Sequence, residues 1–167
     1  MVEVHLAAVR VDLQSKQPVV LLQEGEGRRR TLPIFIGPPE ATAIAFALQG
    51  MTTERPMTHD LIRDMLTMFG VRVERVVVTE LRESTYYAEI HVDLDGRHFT
   101  VSSRPSDAIA IAVRMGTPLY VADDLLDAEG LILSTADDDE AEDEASAEEL
   151  VDQFREFIQD VRPEDFA

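Results

Sequence analysis

An internal repeat constrains this chain more than any other feature. Residues 40–45 read EATAIA and residues 107–112 read DAIAIA, 67 positions later. Each follows a β-type run ending in proline, TLPIFIGP before the first and HFTVSSRP before the second. At the same offset VHLAAVRVDL (4–13) falls on VRVERVVVTE (71–80). Self-similarity of this kind means one supersecondary unit used twice. Here the unit is a set of strands followed by a helix that opens with a carboxylate. The repeat therefore pairs Glu40 with Asp107.

Alternating apolar residues predict strands over 2–13, 18–24 and 30–36, the first Gly-rich turn lying at Gly25 and Gly27. Gly37-Pro38 opens a helix running to about Leu48, with Gly50 as its stop. Ala41, Ile44, Ala45 and Leu48 form one apolar stripe on it, and Ala43, Phe46 and Ala47 a second, so this helix is expected to be buried on more than one side. Residues 51–57 read as a loop. Thr58 is the expected N-cap of a helix over 59–69, with Met57 and Ile62 as its hydrophobic staple and Gly70 as its end. Strands follow at 71–82, 85–94 and 97–102, the last two joined by an Asp95-Gly96 hairpin turn. Arg104-Pro105 opens the second repeat helix, Gly116 ends it, and 118–121 is a short strand. The expected fold is α+β: two repeated βββα units with an intervening helix, plus a C-terminal amphipathic helix after an acidic linker. The two units are expected to pack about a pseudo-two-fold axis.

Three segments are expected: a domain over 1–133, an acidic linker over 134–145, and a C-terminal helix and tail over 146–167. Seven of the twelve linker residues are acidic, too polar to order themselves. Ser146 and Glu149 then make a capping box, and Leu150, Phe154, Phe157, Ile158 and Val161 recur at helical spacing. A chain with 45% hydrophobic residues can build a real core. It has no Cys, which excludes disulfides and thiolate metal sites. No apolar run approaches membrane-span length, so a cytoplasmic protein without a membrane partner is expected. The net charge of −18 is unevenly spread: −6 over residues 1–133 and −12 over 134–167. Such a balance disfavours non-specific binding to phosphate backbones. Nucleic-acid chemistry here needs a local basic site.

Several residues could supply chemistry. Glu40 and Asp107 fall at the third position of helices behind a proline, where a carboxylate caps free N–H groups and meets the positive helix end. Brought to one pocket, the same pair could hold a metal or move protons. In RPMTHDL, Arg55 could hold a phosphate while His59 or Asp60 acts as base or ligand; the plainer role of Asp60 is capping. A two-residue Asp95-Gly96 loop makes residues whose numbers sum to 191 face each other. Val92 then faces Phe99 and Ile90 faces Val101 on the core side. Asp93 faces His98 and His91 faces Thr100 on the other side, a patch able to hold a metal but more often just solvated. Arg28-Arg29-Arg30 is the only basic run. Ser102, Ser103 and Ser106 surround Arg104 at a helix start suited to an anion. No G-x-S-x-G, Walker glycine pattern or H-E-x-x-H occurs.

Three ordered motifs, LPIFIGPPEATAIAFALQG, RPMTHDL and SRPSDAIAIAVRMGTPLYV, resemble the bifunctional nuclease (BFN) domain family. The resemblance covers roughly residues 2–133. It implies a compact bacterial-type domain, a homo-oligomer, and nuclease activity on DNA, RNA or both, without an established mechanism. The positions that match are Glu40, Arg55, His59, Asp60, Arg104, Ser106 and Asp107. Under a nuclease reading Glu40, His59, Asp60 and Asp107 are the catalytic candidates. Arg55, Arg104 and Ser106 would then bind substrate, and Glu40 and Asp107 would hold Mg²⁺ or Mn²⁺. The alternative is a non-catalytic oligomeric binding module, in which the carboxylates are helix caps and the motifs form an interface.

Overall fold

The computed structural model describes residues 1–132. The linker expected over 134–145 and the helix expected over 146–167 lie outside the described residues. The first unit contains β1 (Val2–Val11), β2 (Pro18–Glu24), β3 (Arg30–Phe35) and α1 (Pro38–Leu48). After α2 (Thr58–Met68) comes the second, with β4 (Arg72–Arg82), β5 (Thr85–Leu94), β6 (Arg97–Ser103) and α3 (Pro105–Met115). β7 (Leu119–Val121), α4 (Asp123–Glu129) and β8 (Leu131–Ile132) complete the described chain. The fold is mixed α+β, as the sequence predicts. Among the described residues no helix is long and apolar enough to cross a membrane.

One eight-stranded sheet runs in the order β6-β5-β4-β7-β1-β2-β3-β8. Outward from β7 lie β1, β2 and β3 on one side and β4, β5 and β6 on the other. β1 pairs with β7 antiparallel and β4 pairs with it parallel, so the leading strands of the two units run in opposite directions. α1 packs on α3, and α3 lies over β4 and β5. α1 buries every residue from Ala41 to Phe46. Ala41 and Ile44 join the main core, while Ala45 and Phe46 face a second cluster with Met51 and Met57. The helix thus serves two clusters, as expected of one buried on more than one side, but the expected stripes do not sort them: Ala45 joins Phe46, and Leu48 is 48% exposed. Ile44 and Ile109 are fully buried, and each such side chain stabilises the fold by about 1.5–3 kcal/mol.

The structure departs from the sequence reading in three places. Met57, not Thr58, is the N-cap of α2. The Asp60 carboxylate accepts from the Met57 N–H at 3.1 Å, so an acid at the third position does the capping expected of the Thr58 hydroxyl. α4 and β8 were not expected; Asp123-Asp124 and Gly130 are their start and stop signals, and β8 pairs with β3. Third, the β5–β6 register is as expected, with Val92 opposite Phe99 and Ile90 opposite Val101. Ile90 and Val92 are buried, yet Phe99 and Val101 are 47% and 50% exposed. β6 is the edge strand, and α3 packs mainly over its inner neighbours β4 and β5.

The β4–β5 turn holds Glu83 and Ser84 at φ 47° and 64°, without a glycine. A left-handed conformation costs a non-glycine residue about 1–2 kcal/mol. Ser84→Gly is expected to stabilise the fold by about 0.5–1 kcal/mol, read as a higher urea midpoint. An unchanged or lower midpoint contradicts it.

Candidate active site at the starts of the repeat helices

The prolines opening the two repeat helices set the site. Pro38 and Pro105 stand first in α1 and α3, which makes Glu40 and Asp107 the third residue of each. Proline's fixed φ suits the first helical position, and a carboxylate two residues on faces the positive helix end. Because α1 packs on α3, the two acids meet. Arg104, the N-cap of α3, joins them. Its Nε donates to Asp107 Oδ2 at 2.7 Å and its Nη2 to Oδ1 at 3.0 Å. The same Nη2 lies 2.9 Å from Glu40 Oε1. Arg104 is 65% exposed, whereas Glu40 and Asp107 are 18% and 27% exposed.

His59 comes from α2 and is buried, with Nε2 3.0 Å from Asp107 Oδ1. An ionised carboxylate only accepts, so Nε2 carries the proton and Nδ1 keeps its lone pair when the ring is neutral. Burial pushes the Asp107 carboxyl up, but the hydrogen bonds from Arg104 and His59 outweigh it and hold it below the ordinary carboxylate range. The Asp107 carboxylate in turn raises the guanidinium of Arg104 above its ordinary value.

These four residues edge a cavity of about 660 Å³. Its floor is aliphatic: Ile62 and Leu66 of α2, Ile90 and Val92 of β5, Val101 of β6, and Ile111 of α3. The rim is charged. A water-poor wall beside a charged rim strengthens electrostatic interactions at the rim.

The structure thus brings Glu40, His59, Arg104 and Asp107 together. It places the other three candidates elsewhere. Asp60 turns away from the cavity, accepting from Arg114 Nε at 2.7 Å and from the Met57 N–H. Arg55 is exposed in the loop before α2 and does not line the cavity. Ser106 is buried and also outside the cavity wall, while Ser103 lines it. In the basic run, Arg30 is engaged by Glu24 at 2.8 Å and by Asp127 at 2.5 Å, leaving Arg28 and Arg29 exposed. The Glu40–Asp107 pair is already bridged by a guanidinium. An ion shared by these two carboxylates would have to displace Arg104, so the set as arranged does not fit a metal. Sequence reasoning passed over Arg114 and, though it put Ile90, Val92 and Val101 on the core side, did not foresee that these join residues of two helices in one floor, since four separate elements share no spacing signal.

The profile of the bifunctional nuclease domain matches residues 20–134. This chain belongs to the bifunctional nuclease domain family. The matched span holds all four clustered residues. Among similar proteins, the uncharacterized protein Rv1829 of Mycobacterium tuberculosis is 44% identical over 98% of this chain and 97% of its own length. Bifunctional nuclease 2 of Oryza sativa subsp. japonica is 29% identical over 69% of this chain and 36% of its own. Bifunctional nuclease 2 of Arabidopsis thaliana is 30% identical over 61% and 32%. The chain therefore aligns with about a third of each of those plant proteins and with nearly all of the mycobacterial one.

Proposed function

We propose that this domain is a nuclease that hydrolyses phosphodiester bonds in DNA or RNA at the Glu40–His59–Arg104–Asp107 array. The observation that carries the reading is the His59–Asp107–Arg104 chain of hydrogen bonds at the cavity rim. Hydrolysis forms a bond from a water oxygen to phosphorus and breaks one from phosphorus to a bridging oxygen. Asp107 holds the His59 tautomer whose Nδ1 accepts the water's proton. Arg104, 65% exposed at the rim, stabilises charge growing on the phosphoryl oxygens. Glu40 keeps Arg104 aimed at the rim. The family and the names of its plant relatives support a nuclease; no step is routed through a metal.

The test is cleavage of end-labelled single-stranded DNA and RNA by purified full chain, with Mg²⁺, with Mn²⁺ and with EDTA. His59→Ala is expected to lower the rate by about 10²–10⁴-fold, the usual contribution of a positioned base. Equal cleavage by the variant would mean that a contaminant or another site does the work. A second reading, an oligomeric binding module, is favoured by exposed apolar side chains: Leu61, Met65, Met68 and Phe69 around α2, and Phe99 and Val101 on β6. It predicts a multimer by light scattering and no cleavage under any of these conditions.

A further inference from the structure

We infer that Glu74, Asp93 and His98 form a divalent-metal site on the sheet face away from the cavity. This inference is independent of the nuclease reading.

Side chains alternate across a strand. Ile90, Val92 and Val101 face the cavity, so Asp93 and His98, directly paired across β5 and β6, face the other way. The β4–β5 register shifts between Val73 and Arg75, where Glu74 has no direct partner. A bulge of this kind re-aims a side chain, and Glu74 joins the same face. The result is one donor from each of three adjacent strands.

The distances suit coordination. His98 Nδ1 lies 3.1 Å from Glu74 Oε2 and 3.8 Å from Asp93 Oδ2. The three donor atoms all lie within 4.8 Å of one another. Metal bonds of about 2.0–2.2 Å set neighbouring donors about 3.0–3.6 Å apart in octahedral or tetrahedral geometry. Small side-chain adjustments bring all three into that range. The second oxygen of Asp93 accepts from the Gly96 N–H at 3.4 Å, which orients the carboxylate as outer hydrogen bonds orient metal ligands.

Charge points the same way. Glu74 and Asp93 are 24% and 14% exposed, and two partly buried like charges this close repel. Among the described residues the guanidinium beside them is Arg72, at 3.5 Å from Glu74 and 3.8 Å from Asp93, and it is 71% exposed. A neutral imidazole leaves a surplus of negative charge that a divalent ion would balance. One imidazole and two carboxylates are a borderline donor set, suited to Zn²⁺ over Mg²⁺ or Ca²⁺. Bound there, the ion would fasten the edge strand β6 to β4 and β5. His91, the other histidine of this face, is not a ligand: it lies 3.3 Å from Glu89 and 3.3 Å from Arg75.

The experiment is a Zn²⁺ titration of the full chain followed by NMR of the histidine side chains. Site-resolved detection is needed because the acidic stretch over 134–145 offers many carboxylates. The His98 resonances are expected to shift and saturate at one equivalent. Glu74→Gln and Asp93→Asn, which keep the His98 reporter but remove a carboxylate donor, should each weaken that binding at least about tenfold. Arg72→Ala should tighten it, because it removes a competing cation without touching a ligand. His98 resonances that stay fixed up to millimolar Zn²⁺, or that titrate with the same affinity in both the Glu74→Gln and Asp93→Asn variants, would overturn the inference.

Discussion

Asp60→Ala is expected to lose about 3 kcal/mol of stability, the low end of the range for stranding one member of a buried ion pair. Arg114 is the reason. Its side chain is 4% exposed, and its Nε donates to Asp60 at 2.7 Å. Without Asp60 the guanidinium keeps, among the described residues, the Ala110 carbonyl at 3.1 Å. The Met57 N–H also loses its acceptor, which alone costs about 1 kcal/mol. The double variant Asp60→Ala/Arg114→Met should recover most of the difference, because no charge is then left buried. Urea unfolding of the four proteins of this cycle measures it. A single-variant loss below about 1 kcal/mol would show that Arg114 finds water or another partner. Acid makes the same point. Burial pushes the Asp60 carboxyl up, but the Arg114 hydrogen bond and charge outweigh it and lower it overall. A carboxylate lowered on folding contributes stability above its unfolded value of about 3.9 and loses it as pH falls through the folded value. The wild type should therefore weaken steeply below about pH 4, and Asp60→Asn should flatten that slope.

Asp107→Asn should separate chemistry from folding. Asparagine keeps the shape and can still accept from His59 or Arg104, but not with a full charge. Cleavage is expected to fall by about 10²–10⁴-fold, since the full carboxylate charge that orients the His59 ring and Arg104 is gone. Stability should drop by only about 1–2 kcal/mol, because Arg104 is mostly exposed. Rates from single-turnover assays and midpoints from thermal unfolding give the two numbers. A variant that cleaves as well as wild type while unfolding earlier would leave Asp107 as a structural anchor for Arg104 and His59 and remove it from the reaction. A variant with neither change would show that the hydrogen bonds at the rim matter to neither.

Much of the fold was legible because strands and helices leave a period in one dimension. The alternation of 85–94, the Asp95-Gly96 turn and the two proline-led helices each depend on neighbours a few residues away. The β5–β6 register followed from loop length alone. α4 was missed because seven residues hold too few turns for a periodic signal. β8 was missed because two residues carry no alternation at all. Burial was misjudged at Phe99 and Val101 because parity reveals the face of a strand but not whether a helix reaches over it.

By itself the sequence determined that a βββα order occurs twice, that Glu40 and Asp107 lie in the first turns of the two helices, and that RPMTHDL supplies a histidine at the start of a third. These are local facts, set by proline, glycine and apolar spacing. Only the tertiary structure decided which of the candidates meet. The packing of α1 on α3 brings Glu40 to Arg104 and Asp107, and α2 adds His59, 48 residues away from Asp107 along the chain. The same packing turns neighbouring Asp60 the other way, onto Arg114. Consecutive helical side chains point about 100° apart, so two adjacent residues with the same chemistry on paper end in different surroundings. The sheet does likewise with Glu74, whose place beside Asp93 and His98 depends on a bulge that no local pattern encodes.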